Sequence, residues 1–310
     1  MRTGLPTIIR CRTAALAAAA LVVFAALTGA VADSGRTVKD PLGRTLRVPA
    51  DPVRVVALAP SITEIVYALK EERRLVGSAN QSDFPPAAAA LPKVGSYIHL
   101  DVERIVALRP DLCIGVKDGN PVAAVEQLQS LGIPVFAVDP VNLASVIDTI
   151  AAIGDLLNAA PRARAVTADM RARIERVKAR VAQTPRRPRI FFQLAVSPMV
   201  SVGNDTFIHD LIVSAGGTNV AQGSVPYPRF SREQVIALAP EVIVISSMQH
   251  ATLFEQVKAE WLQWPAIPAV ARNAVFIAPP NTFDRPSPRL VDSLELLAGY
   301  LHPELFKVKP

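Results

Sequence analysis

Cysteine is nearly absent: the 310 residues hold two, Cys11 and Cys113. No disulfide framework follows from such a pair. Cys113, alone inside the apolar stretch 112–116, reads as a small core side chain. Cys11 precedes the apolar run of the amino-terminal stretch, so it is not placed for lipid attachment after that run. Aromatic residues make up 5% of the chain, and histidine is limited to His99, His209, His250 and His302. No two histidines share the i, i+4 spacing of a helical metal site, and no cysteine or acid cluster completes one, so no metal ligand is assigned. A G-x-S-x-G elbow, a phosphate-cradling loop and a dinucleotide fingerprint are all missing. With no catalytic constellation the chain reads as a non-enzyme. No basic stripe interleaved with aromatics marks a nucleic-acid partner either.

Half of the residues are hydrophobic, and the length suffices for two domains with their own cores. Arg2, Arg10 and Arg12 precede an apolar run over 14–27, and small residues then end in Ala30-Val31-Ala32. That order is a secretory leader, 1–32, cleaved near Ala32; the run is short for a membrane span. The formal charge is +6, and the leader carries three arginines and no acid, which leaves only +3 beyond it. The expectation is a protein free in the periplasm.

The remainder alternates. Residues 37–48 read as two short strands around the Pro41-Leu42-Gly43 turn, and strand–helix alternation starts at 54. Segments 54–58, 75–79, 112–116 and 135–138 read as strands, with helices over 61–69, 102–108 and 122–131 between them. Ser61 opens the first helix with Glu64 three residues on, the pattern of a capping box. Strand signal then vanishes from 143 to 182, and 162–182 reads as one long, mostly exposed helix. Alternation resumes at 189–194 with a helix over 208–215 stopped by Gly216-Gly217, and 242–246, 254–261 and 275–277 continue the set. The predicted class is α/β, two lobes with mostly parallel sheets joined by a helix, divided as 37–158, 159–184 and 185–308.

An internal echo supports two lobes. Segments 100–114 and 230–244 match at a constant offset of 130 residues, sharing Glu103/Glu233, an Ala-Leu pair and a proline followed by an acid. Each copy reads as a short helix capped by Asp101 or Ser231, a turn and a buried strand. Glu103 and Glu233 fall in the first helical turn, where the helix dipole favours a carboxylate.

With Ala59-Pro60-Ser61-Ile62-Thr63-Glu64, Ser82-Asp83-Phe84-Pro85-Pro86, Val225-Pro226-Tyr227-Pro228 and Arg285-Pro286-Ser287-Pro288-Arg289, these repeats resemble the cobalamin- and iron-complex-binding periplasmic substrate-binding proteins that feed ABC importers. The resemblance spans about 54–301. It implies Rossmann-like lobes on a helical backbone, a monomer, small opening motions, and a transported ligand in the cleft, cobalamin or a related corrinoid, with haem or a ferric siderophore as alternatives. It also implies that Glu103 and Glu233 meet arginines of a permease dimer, a role compatible with their place at the helix N-termini.

For the pocket, the resemblance implies Ser61, Gln81, Tyr97, Val200, Tyr227, Asn281 and Arg285 as ligand-contacting positions. Tyr97 and Tyr227 either cover a flat macrocycle from the two lobes or pack their rings into the lobes. Asn281 and Arg285 suit an amide-edged ring, though Arg285 equally suits a cap on its own loop. Ser61 either caps its helix or opens it to ligand oxygens. Arg289 reads as structural, and His99 as a solvent-facing loop residue or an axial ligand. Gln81, Val200 and Thr282 replace aromatics of the family pattern and Asn281 replaces an acid, so the cleft is less aromatic than that pattern.

Overall fold

The computed structural model describes residues 35–246, 251–279 and 281–306. The leader, His250 and the last residues of the carboxyl terminus therefore lie outside the described residues.

The chain opens with a hairpin of β1 (Gly35–Lys39) and β2 (Thr45–Pro49), paired antiparallel around a turn in which Gly43 has φ +81°. Only glycine adopts that conformation at little cost. The first lobe then lays down β3 (Val55–Ala57), α1 (Pro60–Ala68), β4 (Leu75–Ser78), a small hairpin of β5 (Gly95–Ser96) and β6 (His99–Leu100), α2 (Val102–Ala107), β7 (Leu112–Val116), α3 (Val122–Ser130) and β8 (Val135–Val138). The four-stranded sheet runs β4-β3-β7-β8, parallel throughout.

Two consecutive helices follow, α4 (Leu143–Leu156) and α5 (Ala160–Val181), separated at Asn158, which has φ +58°. The second lobe contains β9 (Arg189–Gln193), α6 (Phe207–Ser214), β10 (Thr218–Asn219), α7 (Arg232–Leu238), β11 (Val242–Ile245), α8 (Ala251–Leu262), α9 (Pro268–Ala271), β12 (Val275–Ile277) and α10 (Leu290–Leu301). Its parallel sheet runs β10-β9-β11-β12. The predicted α/β class and mostly parallel sheets are thus observed. The closing helix α10 is an element the sequence pattern did not single out.

Alternation along the strands divides each sheet between two cores, since successive side chains point to opposite faces. Val55 and Ala57 join one large cluster, whereas Val56, Leu58 and Cys113 join a smaller one against Ile105 and Leu128. In the second lobe Phe192 joins the large cluster, while Phe191, Ile243 and Ile245 pack with Val235 and Trp261. The large cluster is continuous between lobes and includes Ala163, Met170, Ile174, Val177 and Val181 of α5. Their spacing lays one apolar stripe along α5, so the helix is less exposed than its composition suggests. Asp210 of α6 also accepts the Leu143 backbone N–H at the start of α4 (2.8 Å), a polar tie across the same junction. Cys113 is buried, and burial pushes its thiol up to about 12.

The 130-residue repeat is structural. Asp101 and Ser231 both cap their helices, accepting the N–H groups of Arg104 and Gln234. In each copy the acid after the proline holds the start of the neighbouring strand. Asp111 accepts the N–H groups of Val53 and Arg54, and Glu241 accepts that of Arg189. Arg54 and Arg189 in turn donate to the end of the repeat helix, at the carbonyls of Leu108 and Leu238.

The helix opening at Pro60 corrects the sequence reading. Its N-cap is Ala59, Pro60 occupies the first position, and no side chain caps it. Ser61 lies within the first turn, and Glu64 is buried and claimed by other donors. Charged and hydroxyl partners outcompete a backbone N–H for a buried carboxylate.

Candidate functional site

In parallel sheets the loops that leave the carboxyl ends of the strands converge, and ligands of open α/β folds bind there. Here the carboxyl ends of both sheets face the junction between lobes. From the first lobe come Gln81 and Asp83 after β4, Tyr97 between β5 and β6, Asp118 after β7 and Asp139 after β8. The second lobe supplies Ser246 after β11 and the segment 281–289 after β12.

Tyr97 is held from behind. Asn120 is buried, accepts the Val116 N–H (2.8 Å), and donates to the carbonyls of Leu58 (3.0 Å) and Tyr97 (2.8 Å). Gly119 has φ +120°, and a Cβ there would sit 2.5 Å from the Tyr97 ring. The close approach therefore requires glycine. Across the junction, the Tyr227 hydroxyl donates to Asp118 at 2.5 Å. Both rings thus meet on the 118–119 segment, one from each lobe. Burial, with the charges of Asp118 and Asp284, raises the Tyr97 phenol above its ordinary value. Burial and the bond to Asp118 raise that of Tyr227 further. The repeat offset of 130 residues also relates Tyr97 to Tyr227, so the two rings are pseudo-symmetry mates.

The floor of the junction is a polar cluster. Arg285 is 2% exposed and donates to Glu64 Oε1 (2.9 Å), Asp83 Oδ1 (2.8 Å) and the Gln81 carbonyl (2.7 Å), all on the first lobe. Arg289 donates to both Glu64 oxygens and to the Asn281 carbonyl, and its guanidinium lies 3.7 Å over the Phe84 ring. The Ser287 hydroxyl completes the carboxylate at 2.6 Å. Asn281, with φ +63°, donates to Asp83 at 3.1 Å. Asp284 accepts from the Ser246 hydroxyl (2.9 Å), and burial pushes its carboxyl up to about 6.

Of the sequence-predicted pocket residues, Gln81, Tyr97, Tyr227, Asn281 and Arg285 are brought together at this junction. Ser61 is buried inside α1. Val200 is half-buried, bridging Ala195 and Arg229 through backbone pairing on the Tyr227 side. Arg285 follows neither simple reading: it takes a backbone carbonyl, but across the junction, and its charge is met by Glu64 and Asp83. The structural reading of Arg289 is observed. His99 is exposed, and no group of three or more potential metal ligands occurs among the described residues. Asp284 takes no role from the sequence, because its distance from Asp83 in the chain leaves spacing silent about a pair.

Glu103 and Glu233 lie outside this cluster and are both exposed. A helix that precedes a parallel strand runs against it, so α2 and α7 start at the carboxyl edges of their sheets. The two carboxylates therefore stand at the same edge as the junction, one per lobe. Glu233 is held below its usual range by its own backbone N–H and by the Ser231 hydroxyl.

Residues 55–282 match the family model described as periplasmic binding protein. A vitamin B12-binding protein of Yersinia pestis (strain Pestoides F) is 33% identical over 239 residues, covering 77% of this chain and 82% of the relative. The periplasmic vitamin B12 binding protein BtuF of Vibrio cholerae superposes with a TM-score of 0.72 at 29% identity, covering 81% of this chain and 97% of that one. A periplasmic heme binding protein from Pseudomonas aeruginosa also superposes at 0.72, with 27% identity over 81% of this chain and 93% of that structure.

Proposed function

Since the chain belongs to the periplasmic binding protein family, we propose that it is the solute-binding component of an ABC importer and that its ligand is cobalamin or a related corrinoid. The ligand lies between the lobes, with Tyr97 and Tyr227 on its two sides and the 281–285 segment at its edge. The observation that carries the corrinoid reading is the charge of the carboxyl-end surface. Asp118 and Asp284 lie there with hydroxyl rather than cationic partners, while Lys117 is tied to Asp139 and Arg285 to Glu64 and Asp83. Such a surface repels carboxylates and other anions, and suits a ring edged with neutral amides around a cationic metal. The similarity to vitamin B12-binding proteins supports the same ligand.

Exposed Glu103 and Glu233 support docking to a two-fold permease at equivalent points, because pseudo-symmetric lobes present them as a pair. The leader 1–32 is removed on export, so secreted protein starts near Asp33; an intact mass that retains the leader contradicts this step. A monomer with no catalytic role completes the reading.

The test is calorimetric titration of the mature protein with cyanocobalamin, with cobinamide, haemin and a ferric siderophore in parallel. Saturable one-to-one binding of the corrinoids and none of the anionic ligands is expected. Haemin binding without corrinoid binding would transfer the ligand assignment to haem, the reading favoured by the similarity to the Pseudomonas protein.

A further inference from the structure

A groove of about 330 Å³ lies between α5 and α10, and none of its lining residues belongs to the junction between the lobes. Gly299, which lines it, stands about 14 Å along α10 from Leu290, the residue that follows Arg289 of the polar cluster. The floor is apolar: Val177 is buried there, and Leu296 and Phe306 are half-buried. The rim is cationic. Arg176 and Arg180 line it from α5, both exposed, and at i, i+4 spacing they share one helix face.

The acids nearby are already committed. Arg173 donates to both oxygens of Glu295 (2.9 and 2.6 Å) and to Asp292 (2.6 Å). The bond to Arg173, and after it the charges of Arg173 and Arg176, hold the Glu295 carboxyl below its usual range, so it is a neutralised anion rather than a free one. Neither Arg176 nor Arg180 has a hydrogen bond or an ion pair among the described residues. Arg180 is nevertheless held in place, its guanidinium 5.2 Å over the Phe306 ring, a contact that leaves the N–H groups at its edge available. Lys307 and Lys309 follow Phe306 in the sequence and add to the positive charge of this region.

Two guanidinium groups with unused donors above an apolar floor complement an oxyanion carried on a short apolar body. The volume lies at the lower end of small-molecule pockets, roughly 300–1,000 Å³, which suits a small ligand rather than a chain segment or a bilayer. We propose that the groove between α5 and α10 is a second binding site, for a small organic oxyanion: a carboxylate or phosphate ester whose head is gripped by Arg176 and Arg180 and whose apolar body lies on Val177, Leu296 and Phe306. The site shares no residue with the cleft, so it stands apart from the corrinoid reading. A neutral ligand leaves the arginine donors unmet, and an inorganic anion leaves the floor uncovered.

The experiment titrates the mature protein by calorimetry with octanoate and monooctyl phosphate, alongside octanol and inorganic phosphate. Wild type should bind at least one octyl anion one-to-one, at least tenfold more tightly than octanol or inorganic phosphate, and the tighter of the two identifies the head group. Arg176→Gln and Arg180→Gln replace exposed residues, which the fold tolerates. Each should weaken octyl-anion binding on the order of tenfold, as for loss of a charge-assisted hydrogen bond, and the double variant should abolish it. Phe306→Ala keeps both charges and should weaken the octyl anions while leaving inorganic phosphate unaffected. Wild-type affinity in the double variant places the anion elsewhere and overturns the site. Octanol binding as tightly as octanoate removes the role of the arginines, and inorganic phosphate binding as tightly as monooctyl phosphate removes that of the floor; either overturns the proposal. So does a wild type that binds neither octyl anion.

Discussion

Arg285 of the second lobe donates to Glu64 of the first at 2.9 Å, and both side chains are 2% exposed. Glu64 also takes Arg289 and Ser287, so one buried carboxylate gathers three donors from the 285–289 segment. A buried charge left without its partners is costly, which makes this cluster a clamp between the lobes as well as the floor beneath Tyr97 and Tyr227. Together with the continuous core through α5, it explains why opening should be small.

Breaking the clamp should therefore destabilise the fold. Glu64→Ala leaves Arg289 without a carboxylate and Arg285 with Asp83 alone, at a cost of about 3–5 kcal/mol by urea denaturation. Glu260→Gln, which removes the exposed partner of Arg232, should change stability by no more than about 1 kcal/mol. Equal effects of the two substitutions would mean that Glu64 is solvated.

Asp284 should give the stability curve a distinctive slope. Its carboxyl is pushed by burial from 3.8 to about 6, against the pull of the Ser246 hydroxyl and the Arg285 charge. The folded state thus holds a proton that the unfolded chain releases near pH 4. Stability contributed by this group is greatest below pH 4 and falls as pH rises to about 6, by about 2–3 kcal/mol in all. Other carboxylates, Glu295 and Glu241 among them, are held below their usual range and tilt the curve the opposite way. The difference between wild type and Asp284→Asn isolates the effect, and a flat difference from pH 4 to 7 contradicts it.

Docking and ligand binding should separate. Glu103→Ala with Glu233→Ala leaves ligand affinity unchanged, because both carboxylates are exposed and away from the tyrosines. Stimulation of the importer's ATPase in proteoliposomes should be lost. Normal stimulation by the double variant would move the docking surface elsewhere.

Tyr97→Ala should weaken corrinoid binding by about 1–3 kcal/mol, the scale of lost aromatic burial. Gly119→Ala should act in the same direction without touching the ligand, since its new Cβ displaces the Tyr97 ring. Unchanged titration curves for both variants would place the ring outside the ligand's reach.

Much of this was legible from residue order. Strands β7, β8 and β12 fall where the apolar runs 112–116, 135–138 and 275–277 place them, because a parallel strand that is buried, as β7 and β8 are throughout and β12 is in part, needs nothing beyond a short apolar run with turns on both sides. The repeat at an offset of 130 residues located two capped helices and their exposed glutamates, because caps and first-turn charges are local. Glu64 misled for the same reason. Its spacing from Ser61 fits a local cap, and no local signal reports an arginine more than two hundred residues away.

The alternation of apolar and polar residues by itself determined the α/β class, the two lobes and the helix between them, since periodicity decides which face each element buries. Only the tertiary structure decided what the cleft is made of. It set Tyr97 against Tyr227, spent the charge of Arg285 on Glu64 and Asp83, and left Asp284 and Gln81 with unpaired oxygens. Those outcomes depend on distances between segments far apart in the chain, and on burial that strengthens a charge pair or strands a lone acceptor, neither of which any stretch of sequence contains.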